Sequence, residues 1–400
     1  MSRETTPRAV PRPGEHYDVV VVGWRVAGAA TAMLLARSGH RVLMIDRARH
    51  GSDTVSTHTL LRSGVLQLKR WGLLDRVVES GAPPIPRVTL GFGDELVPID
   101  LSDDFGVNAL YAPRRTVLDP ILVEAACQAG VDFVDRCSAR SLRFDERGRV
   151  EGVDLSLGGS EISVSTRFVV GADGVHSRVA GWVGAKTYRY HPPSNSVQYA
   201  YYEGIEVDGV HFQFTPGVTA GLIPTNDGLV CVYGGWPSTA DLGFHDDPQK
   251  AFTRAVSSSH PDVAARVQGG IRVSAFRGTR GLPSYLRRAA GPGWALVGDA
   301  GYMKDPVSAH GLSAAMRDAE SCARAIHEAI ENPGSERELL DSYWRGRDEL
   351  SLGHLEATVE LAGYRWDPSR ASSLMRYLSD AVQDECHALE MGHQLAASAS

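Results

Sequence analysis

The chain has little that would cross-link it, carry it into a membrane or draw it to nucleic acid. Its 400 residues hold five cysteines, at positions 127, 137, 231, 322 and 386. The number is odd and no pair stands in C-x-x-C spacing, so neither a disulfide framework nor a metal site is indicated. Thiols used in this way are expected to stay reduced, which points to the cytoplasm. No apolar run approaches the ~18 residues of a membrane span, and the polar stretch Met1–His16 lacks the apolar core of a signal peptide. No membrane association is therefore expected. A formal net charge of −7 leaves no basic stripe, which argues against a nucleic-acid partner. What remains is a chain of 43% hydrophobic and 22% charged residues, able to bury a large core and expected to divide into two domains.

The most informative stretch is VVVVGWRVAGAATAMLLARSGHRVLMID, Val19 to Asp46. Val19–Val22 form an apolar run suited to a buried parallel strand, and Ala29, Ala32, Met33 and Ala36 then recur at helical spacing. Gly23 permits a tight turn, and Gly28 lets the helix lie close on the strand. A diphosphate would sit at the helix N-terminus, where unpaired backbone N–H groups and the positive end of the dipole favour anions. Asp46 is placed to accept hydrogen bonds from an adenosine ribose. Candidate cofactor contacts are thus Gly23, Arg25, Val26, Ala27, Gly28, Asp46 and Arg47. The spacing is G-x-R-x-x-G, with Arg25 where the middle glycine of a dinucleotide motif would stand. Its guanidinium either reaches a phosphate oxygen in a charge-assisted pair or points to solvent from a widened turn.

Two more segments follow in order. RFVVGADGVHSRVAGW, Arg167 to Trp182, reads as a buried strand and a Gly171-Ala172-Asp173-Gly174 turn that puts a carboxylate at the strand's end. GWALVGDAGYMKDPVSAHGLSAAMRDAE, Gly293 to Glu320, reads as a short strand ending in Gly298-Asp299, then Pro306 and a long helix from Gly311. The three segments together resemble the fingerprints of the group A flavoprotein monooxygenases, the p-hydroxybenzoate hydroxylase type, a family related in fold to flavin-dependent halogenases and geranylgeranyl reductases. The likeness spans roughly residues 17–335 and includes R-x-x-L-x-x-x-L at Arg115, Leu118 and Leu122.

That resemblance implies FAD, with NADPH or NADH as electron donor. Asp46 would hold the adenosine ribose, Arg115 the ribityl or pyrophosphate oxygens, and Asp299 a ribityl hydroxyl. Pro306 to Gly311, with Leu312 and Ser313, would bring a helix N-terminus to the flavin N1 and C2 carbonyl edge. Asp173 would lie near the pyrophosphate, and His176 near the nicotinamide cofactor. His58 stands where an arginine near the pyrophosphate is usual, and is a cofactor or flavin-edge candidate. Gly301-Tyr302 replaces the family's Ala-His, and Ser313 its common Asn. The implied activity is hydroxylation of an electron-rich aromatic or polyketide-like small molecule by molecular oxygen, through a flavin C4a-hydroperoxide. The alternatives on this fold are halogenation and prenyl-chain reduction, and the W-x-W-x-I-P segment of tryptophan-type halogenases is absent. Reduced flavin could also come from a separate reductase. Tyr201, Tyr202, His211 and His310 are candidate bases by location, and with His58 and Pro306 they complete the catalytic candidates.

Between the motifs the period changes. Ser141 to Val170 reads as a meander, and Ser196 to Trp236 as an antiparallel sheet to which Val88–Leu101 adds a hairpin. The expected architecture is α/β: a Rossmann-like FAD-binding domain with a parallel sheet and β-meander, an antiparallel-sheet substrate domain, and C-terminal helices. The expected boundaries are a tail at 1–16, a discontinuous cofactor domain at 17–85, 105–190 and 285–335, a substrate domain at 86–104 and 191–284, and a helical region at 336–400. Trp344, Tyr364, Trp366 and Tyr377 of that last region are expected in the core or at an interface, with a role in covering the pocket as the alternative.

Overall fold

The strand His16–Val22 lies at the middle of the first sheet because it is apolar on both faces, with Val19, Val20 and Val21 fully buried. In the computed structural model, which describes residues 10–399 apart from 241, 243 and 245, this strand pairs in parallel with Val42–Ile45 on one side and Ser160–Gly171 on the other. Asp132–Val134 and Trp294–Leu296 extend the parallel sheet outward. Residues 1–9 of the expected tail lie outside the described residues. Register brings the carboxyl ends together: Val22 pairs with Ile45 and with Gly171, Gly171 with Leu296, and Ile45 with Val134. In open parallel sheets that edge is where ligands bind. Cys137–Phe144 and Val150–Leu157 complete the meander against Ser160–Gly171.

Helix Val26–Arg37 covers one face of this sheet, packed between Arg115–Gln128 and Gly311–Glu331. The approach is close because two residues lack a side chain. A Cβ on Gly28 would lie 1.8 Å from the carbonyl oxygen of Gly23, and one on Gly23, at φ +113°, would lie 2.3 Å from that of Ala172. Both clashes are with backbone, which cannot swing aside as a side chain can. Gly28→Ala is therefore expected to destabilise the fold by at least the ~3 kcal/mol upper end of overpacking costs, read by urea or thermal unfolding.

The second sheet is mostly antiparallel. Its core is Asn195–Glu203, Val230–Pro237, Val218–Pro224 and Val210–Thr215, and the hairpin Arg87–Phe92/Glu95–Asp100 joins through a parallel pairing of Arg87–Phe92 with Val210–Thr215. Alternation sorts its side chains. Tyr199, Tyr201, Phe212, Phe214 and Tyr233 point inward to a cluster with Leu361, Trp366, Leu374 and Leu378 of the C-terminal helices. Ala200, Tyr202, Leu222 and Val232 point outward beneath Phe252 and Val256. Helices Glu336–Ala362 and Pro368–Ala399 close the molecule, the latter reaching back to Arg62–Arg70. Tyr364 and Trp366 are buried in the inner cluster, whereas Tyr377 is half exposed.

Candidate cofactor and active site

Three loops from distant parts of the chain meet at the carboxyl edge of the parallel sheet. Gly23 touches Ala172 of the second motif, and Gly298, at φ +55°, would place a Cβ 2.9 Å from that of Ala27. The Tyr285 hydroxyl donates to the carbonyls of Asp299 (2.6 Å) and Val175 (3.2 Å), tying the second and third loops together. Asp46, just past Ile45, accepts from Ala48 N at 2.7 Å and Trp24 N at 3.2 Å. Burial raises its pKa, and the two backbone donors and Arg25 oppose the shift. Each carboxylate oxygen keeps a lone pair for a ribose hydroxyl.

Asp299 stands just past the carboxyl end of the Trp294–Leu296 strand. It is exposed to solvent although Gly298 and Ala300 on either side are buried, yet the protein crowding it raises its carboxyl pKa, opposed by Lys304 and Arg115. Gly311 is likewise exposed, with open space where a side chain would stand, so the N-terminus of the Gly311–Glu331 helix is free to meet a polar edge. A glycine cradle at one helix N-terminus, a carboxylate at the end of the neighbouring strand and a second exposed helix start at the same sheet edge fit a long dinucleotide such as FAD.

Residues 16–357 match the family described as FAD binding domain. The chain belongs to that family. It is an FAD-dependent oxidoreductase with the Rossmann-like cofactor fold expected from its motifs. Among curated relatives, the digeranylgeranylglycerophospholipid reductase 1 of Methanococcoides burtonii is 26% identical over 345 residues, covering 83% of this chain and 80% of the relative. Among solved structures, a PqsL variant of P. aeruginosa superposes with a TM-score of 0.79 at 21% identity, over 90% of this chain and all of that one. The myxobacterial chondrochloren halogenase CndH superposes with a TM-score of 0.78 at 22% identity, over 93% and 91% of the two chains. At such identities the two structures speak for the shared fold alone.

Several candidates are placed differently from what the motifs suggested. Arg25 of this flavoprotein does not point to solvent: it donates to Asp119 (3.1 Å) and to the carbonyls of Ser52 (3.3 Å) and Asp53 (3.2 Å). Arg115 makes a bidentate pair with the same Asp119. Asp173 is turned back on its own turn, accepting from the backbone N–H of Arg178 and Val179 and from Ser177 Oγ. Its carboxylate thus serves the start of the next helix. Ser313 Oγ accepts from Leu61 N at 3.1 Å, and Gly64 presses against it, so that hydroxyl joins two helices. Val26 is buried and Ala27 half-buried in the cradle, Arg47 is exposed, and Leu312 is half-buried. His176 is exposed and lines a surface cleft of ≈ 460 Å³ with Thr187, Tyr190, Tyr285 and Arg287.

The catalytic candidates separate by face. His58 is buried in a left-handed backbone conformation at φ +69° and stacks on Tyr201, with its Nε2 hydrogen-bonded to the Tyr201 hydroxyl. Its Nδ1 has no partner among the described residues. Burial, with the guanidiniums of Arg115, Arg114 and Arg277 around it, pushes the imidazole pKa down to about 3, so His58 is neutral. Burial moves Tyr201 upward, far above an ordinary phenol, so its hydroxyl stays protonated. His211 does not join this pair. It bonds Gln213 at 3.1 Å and faces the far side of the sheet, near His260, Asp262 and Arg266. Tyr202 faces outward as well. Pro306 opens a short turn capped by Asp305, and the next residue, Val307, packs on the inner cluster that holds Tyr201. His310 lies behind that turn, bonded to Glu385 at 2.8 Å.

Sequence reasoning missed Asp119, Glu385 and the buried chain neighbours Lys304 and Asp305. Burial and Arg317 lower Lys304 to about 7, and burial raises Asp305 to about 7 against its bonds from Asn195 and Val307 N. Asp119 alone had a local signal, four residues after Arg115 on one helix face. Away from the cofactor edge, His40, His327 and Glu331 bring their ligand atoms within 4.8 Å of one another, a trio capable of holding a metal ion that no sequence spacing revealed.

Proposed function

We propose that this flavoprotein reduces carbon–carbon double bonds in an apolar, prenyl-like chain, with NADPH or NADH as the source of electrons. The observation that carries this reading is the buried His58–Tyr201 pair set among Tyr199, Phe212, Tyr233 and Val307. Reduced FAD, when bound, supplies a hydride to one carbon of such a bond. The other carbon needs a proton, and the Tyr201 hydroxyl holds one. A weak acid suffices there, because a carbon centre with carbanion character is a far stronger base than a phenolate. Neutral His58 orients the hydroxyl, and the aromatic wall excludes water while offering an apolar bed for a hydrocarbon substrate.

The same groups speak against the phenol hydroxylation implied by the family resemblance. A base with a pKa of about 3 is too weak to ionise a phenol of pKa ~10 at neutral pH. The curated reductase relative, aligned over four fifths of both chains, supports reduction over hydroxylation.

The test is anaerobic turnover of the FAD-loaded protein with NADPH or NADH and a geranylgeranyl lipid, followed by mass spectrometry. Each saturated bond adds two hydrogens, and such products are expected without oxygen. No anaerobic reduction, together with oxygen uptake and label from oxygen in an aromatic product, would overturn the reading in favour of hydroxylation.

A further inference from the structure

We propose that Asp119 is the positioning residue of a two-arginine clamp for the FAD diphosphate, and that this clamp replaces the close backbone approach a glycine at position 25 would allow. The inference rests on the FAD site described above and assigns it a residue and a binding device that the motif does not contain.

Asp119 has no exposed side-chain surface, and it accepts from three guanidinium N–H groups: Arg115 Nε at 2.8 Å, Arg115 Nη2 at 3.0 Å and Arg25 Nη1 at 3.1 Å. A buried carboxylate is tolerated only when paired in this way. Two guanidiniums brought side by side repel each other, and the shared carboxylate is what holds them together.

From their shared carboxylate the two arginines act on different groups at the carboxyl edge of the sheet. Arg25 is the N-cap of the Val26–Arg37 helix and is close enough to Asp46 to favour its ionised form. Arg115 is close enough to Asp299 and to His58 to act on both. Asp46 marks the ribose end of a bound FAD and Asp299 the ribityl end, and the diphosphate lies between them. Asp119 therefore sits beside the one segment of the cofactor that carries negative charge. Four of the five Arg25 N–H groups are engaged, with Asp119, Ser52 O, Ser52 Oγ and Asp53 O. That leaves Nε. Arg115 keeps its Nη1 and half of Nη2. Two cations and one anion leave a net positive charge facing the phosphates, and the bonds from Arg25 to residues 52 and 53 tie that loop to the start of the Val26–Arg37 helix.

The test follows FAD release from the holoprotein on dilution, by the rise of flavin fluorescence, at low and high salt. For Asp119→Asn the release rate is expected to rise at least ~10-fold, the loss of charge-assisted hydrogen bonds. Its dependence on salt should shrink, because fewer ordered cations contact the phosphates. The absorbance of the flavin that stays bound should be unchanged, and Asp119→Glu should recover much of the retention. Arg25→Gln, at a partly exposed position, is expected to show the same faster release with the same flattened salt response, as is Arg25→Gly despite restoring the glycine. Wild-type release with an unchanged salt response in Asp119→Asn or Arg25→Gln overturns the proposal. So does faster release that keeps the wild-type salt response and comes with an altered flavin spectrum, since that marks a merely structural carboxylate. Both results leave the FAD-family reading intact, whereas a wild-type protein that never retains flavin would fail that reading itself.

Discussion

Tyr201→Phe is expected to lower turnover by about 10²- to 10⁴-fold, the usual contribution of a positioned proton donor, while FAD stays bound and NADPH or NADH still bleaches it. The substitution removes one oxygen from a buried aromatic wall, so packing is largely kept and the loss reads on proton delivery. Rapid-mixing measurements separate the two half-reactions. Equal loss in both, or a wild-type rate of substrate reduction, would remove Tyr201 from the chemistry. His58→Ala should give a similar but smaller loss, because it frees the hydroxyl without removing it. The pH profile offers a second check. Since His58 has a pKa of about 3, no protonation of this imidazole should limit activity on the acid side between pH 5 and 8. An acid limb that disappears in His58→Ala would contradict its placement.

Glu385→Ala is expected to cost about 3–5 kcal/mol of stability, the range for breaking a buried ion pair from one side. Glu385 comes from the last helix, is fully buried, and touches His310, Arg317 and Ser63. Burial opposes its ionisation, but His310 and Arg317 outweigh that and hold its pKa far below the carboxylate range. Within the pair, Glu385 carries the charge, balanced by Arg317, while burial lowers His310 to about 4 and leaves it a neutral donor. Arg317 retains its bond to Asp318 at 2.7 Å, which keeps the expected loss at the lower end. Urea unfolding of the variant against wild type measures it.

The linked pH dependence has a definite sign. His58, His310 and His354 are all buried with lowered pKa values. The unfolded chain therefore binds more protons than the folded one below pH ~6.5, and stability falls as pH drops through that value. Glu385, also lowered, adds stability that is present above pH ~4.5 and lost below it. Denaturant midpoints measured from pH 8 down to 4 should decline first through the histidine range and then more steeply. Glu385→Gln should remove the lower step.

The cofactor domain was legible in the chain because each of its parts is local. A run such as Val19–Val22 buries both faces of a strand, Gly23 and Gly28 have no substitute at their backbone contacts, and Asp46 follows from the length of one strand–helix–strand unit. The active-site wall was only half legible. Period-2 alternation located Tyr201, Tyr202 and His211 on strands, but not which way the whole sheet faces. A one-residue difference in register decides between the inner cluster and the outer helices, and for Tyr202 and His211 it fell outward. Arg25 shows the same limit at a motif position: its place in the loop was clear, and its partner Asp119 lies 94 residues away.

What the sequence determined by itself is therefore the family, the fold of the cofactor domain and the need for FAD, since these rest on short-range patterns of apolar period, turn residues and strand-end carboxylates. Only the tertiary structure decided that His58 meets Tyr201, that Asp119 joins Arg25 to Arg115, and that Glu385 anchors the last helix behind the Pro306–Ser308 turn. Apart from the i,i+4 bond of Asp119 to Arg115, each of those contacts spans tens to hundreds of residues. The protonation states of His58 and Tyr201 follow from burial, which is a property of the whole packed molecule.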